Sequence, residues 1–160
     1  MPKHTVSPRE FEPEFVQALI EIFEEKIVFN RVLGLKITSL GPERATGRIA
    51  MRDELIGHPA HQRLHGGVIS AALDAIAGLA VLGALGARHM DDPVPQRIAR
   101  FSRLGTIDLR VDYLRPAIGE HFELRAEVIR IGSRVATARM EFLGADGTLL
   151  STGTAAYIVS

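Results

Sequence analysis

The sequence predicts an α+β fold in which one antiparallel sheet curls around a single buried helix. Three observations predict it. Residues 64 to 85, LHGGVISAALDAIAGLAVLGAL, are almost wholly apolar after their two glycines, as expected of a helix enclosed on most sides. From Thr106 onward, apolar residues recur at every second position, the period of half-buried strands. Short connections between those segments make the C-terminal half an antiparallel meander. At 160 residues, 46% of them hydrophobic, the chain suffices for one domain with a substantial core and is too short for two ordinary ones.

In chain order, EPEFVQALIEIFEEKIVFN, residues 12 to 30, places Phe15, Leu19, Ile22 and Phe23 at helical spacing. Pro13 is tolerable in the first turn and Gly34 is available as a stop, so an additional amphipathic N-terminal helix is expected. We read residues 1–32 as a helical extension and 33–160 as a single domain. LGLKITSL and ERATGRIAM read as two strands separated by Gly41 and Pro42. The loop GHPAHQRLHGG leads into the buried helix, and residues 86 to 103 form a connection rich in proline and charge. TIDLRVDYL then sets Ile107, Leu109, Val111 and Tyr113 against Asp108, Arg110 and Asp112, and HFELRAEV repeats the pattern with Phe122, Leu124, Ala126 and Val128. RVATARMEFL and LLSTGTAAYIV follow, joined at Asp146-Gly147, a strong hairpin signal.

Lys+Arg and Asp+Glu are balanced at 19 each, so no global field draws the chain to nucleic acid or to an anionic membrane. The absence of cysteine excludes disulfides, thiolate metal sites and a cysteine nucleophile, and suits a reducing compartment. MPKHTVSPREFEPEF lacks the apolar run of a signal peptide, which makes the cytoplasm the expected location. Residues 68 to 85 have about the minimum length of a membrane span, but Asp74 near the middle would cost several kcal/mol there. A buried helix of a water-soluble domain fits better.

Asp74 is the charge that the apolar run has to explain. At about 100° per residue its neighbours above and below are Gly67, Ser70, Ala71, Ala77 and Gly78, all small, while Ile69, Ile76 and Leu79 lie on roughly the opposite side. That smooth face leaves room for a ligand or a second copy of the chain. A mid-helix aspartate can equally pair with an arginine or bond a backbone amide, and on its own the residue does not decide between these readings. His65-Gly66-Gly67 at the helix start tips the balance. Glycine admits close approach to the backbone, and unpaired first-turn amides form a positive pocket for a developing oxyanion. Asp74 stands eight residues beyond Gly66, about 12 Å by helical rise, too far for the two to act on one carbonyl within one chain. A symmetric dimer with two such helices side by side would join amide and acid across copies.

LHGGVISAALDAIAG followed by TIDLRVDYLRPA resembles the hotdog-fold acyl-CoA thioesterases of the phenylacetic-acid-degradation subgroup, including the small bacterial medium-chain enzymes. The resemblance covers most of the chain from about Leu33. It implies a curved antiparallel sheet around the central helix, dimers joined edge to edge through the strand after that helix, and often a tetramer. It implies hydrolysis of medium-chain or aryl acyl-CoA to the free acid and coenzyme A, with no metal and no cofactor beyond the coenzyme A of the substrate. The Gly66 amide would polarise the thioester carbonyl, and Asp74 of the other chain would act as general base or nucleophile. The Thr106 hydroxyl would hold the water, and His65 would contact the thioester end or order the loop. Some relatives carry an asparagine six residues before the motif histidine; this chain has Pro59 there, and Gln62 is the substitute candidate. Gly67, Ser70, Arg103 and Arg134 are the expected substrate contacts.

Other constellations have plainer readings. His58, His61 and His65 suggest a zinc triad, but Pro59 disturbs any helix there and Gln62 stands where a carboxylate base is expected. Arg97, Arg100 and Arg103 could meet coenzyme A phosphates or form a solvated face. The same fold serves hydratases and dehydratases, whose acid-and-histidine motif is not evident here. It also serves non-catalytic acyl-CoA sensors, which would not need Asp74 and normally bring a DNA-binding segment.

Overall fold

The computed structural model describes residues 10 to 160. Helix α1 (Pro13–Glu21) is the first element among the described residues, with proline in its first turn, and Phe15, Leu19 and Phe23, four apart, are buried. The predicted single N-terminal helix is interrupted. A π turn (Ile22–Lys26) follows α1, Ile27 takes an extended backbone, and α2 (Val28–Leu33) begins anew before Gly34 closes it at φ 71°. Bonds to other segments hold the break: the Asn30 side-chain amide donates to the Phe23 carbonyl at 3.0 Å, and Glu24 accepts from the Ile37 amide at 2.7 Å and from Lys36 at 2.9 Å. A continuous helix would forgo these.

Strands β1 (Lys36–Leu40) and β2 (Arg44–Ala50) follow. The loop beyond them folds into a short ribbon of β3 (Ile56–His58) and β4 (Arg63–Leu64). Helix α3 (Gly66–Arg88) then runs through the centre. By length and composition it could cross a membrane, yet most of it is enclosed by the fold. Ile69, Ile76 and Leu79 are fully buried, and the helix lies against β6 (His121–Ile131), β7 (Val135–Gly144) and β2. The six-stranded sheet has the order β1-β2-β6-β7-β8-β5, every neighbouring pair antiparallel, with β5 (Gly105–Tyr113) and β8 (Leu149–Ile158) completing it. The β7–β8 hairpin turns at Asp146-Gly147 as expected. Gly147 takes φ 83°, and the Asp146 carboxylate accepts from the Thr148 amide at 3.0 Å and its hydroxyl at 2.9 Å.

The connection from 86 to 103 carries structure of its own, α4 (Val94–Ala99) and a 3₁₀ turn (Arg100–Arg103). Its Arg97 is 2% exposed, 2.6 Å from a Glu12 carboxylate oxygen and 4.5 Å from the centre of the Phe15 ring. Arg100 pairs with Asp92 at 2.9 Å. Both arginines are thus engaged within the fold, where the sequence left them between coenzyme A phosphates and a solvated face. The far edge of the Phe15 ring fills the space over Gly86: a Cβ built there would lie 2.3 Å from the Phe15 Cζ.

One irregularity positions the site. Thr106 pairs with Tyr157 and Asp108 with Ala156, so Ile107 is an extra residue in β5, a bulge. Strict alternation puts Ile107 with Leu109 and Val111 and turns Thr106 the other way. The bulge instead aims both Thr106 and Leu109 inward and leaves Ile107 56% exposed.

Candidate active site

Asp74 sits half-buried near the middle of α3, on the face of small residues. Its carboxylate is held by a cross-strand pair. The Thr106 hydroxyl donates to Oδ1 at 2.9 Å and Oδ2 at 3.2 Å, and the Tyr157 hydroxyl lies 2.9 Å from Oδ1 and 3.0 Å from the Asp74 carbonyl. The β5–β8 register sets Thr106 opposite Tyr157 so that both reach one oxygen. Burial, then the Asp74 charge, push the Tyr157 phenol far above its ordinary range, so it stays protonated as a donor. With two short bonds on Oδ1 and one longer one on Oδ2, Oδ2 is the oxygen with capacity to spare for a reactant.

Around this carboxylate opens a cavity of about 300 Å³, small for a ligand pocket. Ala71, Ala75 and Gly78 of α3 floor it, and Phe23, Asn30, Phe101 and Leu104 are among its walls. Asn30 is a buried polar residue in an otherwise apolar wall.

The other end of the candidate site lies at the start of α3. His65 is the N-cap; its Nδ1 accepts from the Gly67 amide at 2.8 Å, which assigns the ring proton to Nε2. Gly66, the first helical residue, has no acceptor for its amide within the helix. Its carbonyl accepts from the Tyr113 hydroxyl at 2.8 Å, and the Tyr113 ring lies against it. A second cavity of about 420 Å³ opens here, lined by Arg63, Gly66, Ile69, Tyr113 and Arg115 among others. The two cavities share no lining residue.

The remaining candidates are distributed between the two ends. Gly67 and Ser70 lie in the first turns of α3, where the Ser70 hydroxyl donates to the Gly67 carbonyl at 3.1 Å. Gln62 is exposed, in left-handed backbone at φ 51°, and its amide nitrogen donates to the Pro59 carbonyl at 3.1 Å. Arg103 and Arg134 are exposed at the Asp74 end: Arg103 precedes β5, and the Arg134 carbonyl accepts from the Val159 amide, two residues past Tyr157. His58 and His61 stack with ring centres 4.7 Å apart. Among the described residues, no group of three or more His, Asp or Glu side chains is arranged to hold a metal ion.

Sequence reasoning missed Tyr157, Asn30, Arg63 and Arg115. Tyr157 left a faint signal, an inward position in the alternation of TAAYIV. The other three left none, because their place depends on how distant segments pack.

Residues 61–151 match the family model described as Thioesterase superfamily. The chain is 40% identical to the medium/long-chain acyl-CoA thioesterase YigI of Salmonella typhimurium over 141 residues, 87% of this chain and 90% of that one. YigI of Escherichia coli is 40% identical over 139 residues, with the same shares covered. A crystal structure from Shewanella oneidensis, described as related to the thioesterase superfamily, superposes with a TM-score of 0.86 at 38% identity, covering 94% of this chain and all of that one. Zebra fish Thioesterase Superfamily Member 2 shares the fold at a TM-score of 0.72 and 19% identity, covering 94% and 99%. With the curved sheet around α3, these matches establish that the chain belongs to the thioesterase superfamily.

Proposed function

We propose that this protein hydrolyses acyl-CoA thioesters of medium-chain or aryl acyl groups to the free acid and coenzyme A. Within the superfamily we assign it to the phenylacetic-acid-degradation subgroup, on the HGG motif with an acid eight residues after its first glycine. It acts as a cytoplasmic homodimer, able to pair into a tetramer, without metal or added cofactor. The names of its YigI relatives support an acyl-CoA substrate.

The observation that carries the composite site is the separation of acid and amide. They open into different cavities, and each is bonded to a different end of β5: Asp74 to Thr106 at its start, Gly66 to Tyr113 at its finish. Within the described sheet, β5 pairs with β8 alone and its other edge is open. Antiparallel pairing of β5 with its own copy, centred between Leu109 and Arg110, would set Thr106 of one chain against Tyr113 of the other. The acid end of one copy then meets the amide end of the next. In that arrangement the Gly66 N–H and the helix terminus stabilise the oxyanion, and the Nε2–H of His65 is a further donor. Asp74 takes a proton from water or attacks the carbonyl, while the Thr106 hydroxyl holds the water. Gln62 supports the loop, Gly67 and Ser70 line the approach, and Arg103 and Arg134 meet the coenzyme.

The test is thiol release from acyl-CoA, first with Asp74→Asn, which fills the same volume and cannot act as base; normal turnover would refute the assignment. The composite site is then tested by mixing two inactive variants, Asp74→Ala and Gly66→Pro. Proline is tolerated at a first helical position, and His65 already has the extended backbone a residue before proline needs, at φ −67° and ψ 134°. Co-refolding equal amounts makes half the dimers mixed, each with one of two sites intact, so about a quarter of wild-type activity should return. No recovery, with mixed dimers and folded Gly66→Pro demonstrated, would reject a shared site.

A further inference from the structure

The Asp74 cavity does not end at the carboxylate. It continues along α3 by about one helical turn, past Ala75 to Gly78, and beyond Asp74, Thr106 and Tyr157 its lining is almost entirely apolar. Its roof comes from two segments that the family match over residues 61–151 treats differently: Phe23, Ile27, Phe29 and Asn30 lie before it, while Phe101 and Leu104 lie inside it. Phe23 and Phe101 meet edge to face, with centroids 5.8 Å apart, and close the far side. Gly78 faces that closure. A Cβ there would lie 3.4 Å from Leu104 Cδ2, 3.9 Å from Tyr157 Cε1 and 4.0 Å from Phe23 Cε1, all ordinary contacts. The backbone does not require glycine at this mid-helix position, where alanine would be the better helix former by roughly 1 kcal/mol. What glycine supplies is space inside the cavity.

We infer that the acyl chain runs from Asp74 toward Gly78 beneath Phe23 and Leu104, and that Gly78 sets how long a chain the site accepts. The inference rests on the thioesterase reading for its substrate and deepens it by naming the specificity-determining residues. An added methyl at Gly78 takes the place of the last carbon or two of the chain, and removing methyls at Leu104 returns that room. One methylene in an apolar pocket is worth on the order of tenfold or more in kcat/KM.

The experiment uses full-length wild type, Gly78→Ala and Leu104→Ala with saturated acyl-CoA esters from hexanoyl to hexadecanoyl. It reads the ratio of kcat/KM for the longest well-used ester to that for hexanoyl-CoA. The ratio should fall about tenfold in Gly78→Ala and rise in Leu104→Ala, with both variants as folded as wild type by thermal melt. The same ratio is read from Kd by calorimetry in an Asp74→Asn background. If wild type hydrolyses none of the esters, the thioesterase reading fails and the Kd ratios alone judge the acyl path. Chain-length profiles that stay unchanged in both variants, or binding without any chain-length dependence, would overturn the inference.

Discussion

Asp74 receives its hydroxyl donors from two residues, and each can be removed in turn. Tyr157→Phe deletes a short bond to a charged oxygen without changing the ring, so kcat should fall about 10- to 100-fold with KM little altered; steady-state kinetics on acyl-CoA would show it. Thr106→Ala should lower kcat in the same manner, whereas Thr106→Ser keeps the hydroxyl and should keep most of the rate. A change confined to KM would make Thr106 a binding residue. Tyr157 also carries a pH signature. Its phenol is held above its ordinary 10.0 in the folded protein, so its contribution to stability is complete below the unfolded value and is lost as pH rises past it. Chemical denaturation from about pH 9 to about pH 11 should therefore show a decline that Tyr157→Phe flattens. At this scale the sequence singled out Asp74, through the small residues around it, and the glycines at the helix start as candidates. It could not reveal that Tyr157 shares Asp74 with Thr106, because that follows from the register between two strands about fifty residues apart in the chain.

Among the elements, β5 keeps Thr106 and Leu109 on one face by bulging out a single extra residue. Deleting Ile107 removes the bulge and leaves Thr106 opposite Tyr157, on the same face as Leu109 and still toward α3; the sheet should survive, and acyl-CoA hydrolysis should fall less than in Thr106→Ala. Period-two reading located the strand to within a residue but could not register the bulge, since Ile107 is as apolar as the inward residues beside it. The N-terminal helix shows the same limit. Its buried positions follow the predicted spacing, while its break at the π turn depends on Asn30, Glu24 and Lys36, side chains whose partners lie in other elements. The 86–103 connection is polar in composition, yet α4 buries Arg97 against Glu12 and Phe15. Arg97→Ala removes both the ion pair and the ring contact and should lower Tm by about 4–8 °C, on the order of 2 kcal/mol. Arg97 also holds the Glu12 carboxyl below its ordinary 4.5, so that part of the clasp is present above the unfolded value and fades as pH falls through the depressed one. In Glu12→Gln the melting temperature should depend less on pH below about 4.5.

For the molecule as a whole, the sequence conveyed the curled sheet and its central helix, because burial on all sides and burial on one side leave different periods. Periodicity alone could not convey which strand ends up at an edge: the expected meander would set β5 beside β6, whereas β5 pairs with β8, and only the resemblance implied an edge for the strand after the helix. The open side of β5, nine residues long with Ile107 and Tyr113 exposed, is where the proposed dimer would pair to complete the shared site. Activity per chain should therefore fall on dilution, with a midpoint that coincides with dimer dissociation in sedimentation; full activity of a demonstrated monomer would contradict the shared site. The seat of the N-terminal segment has a different consequence, for heredity. With the Phe15 ring occupying the space over Gly86, any side chain gained at 86 collides with it, so that change is harmful in the present background. Once position 15 has shrunk, the same change fills a void and becomes favourable. The order in which the two substitutions arise is thus constrained, and lineages that lost the aromatic first would be the ones free to replace the glycine.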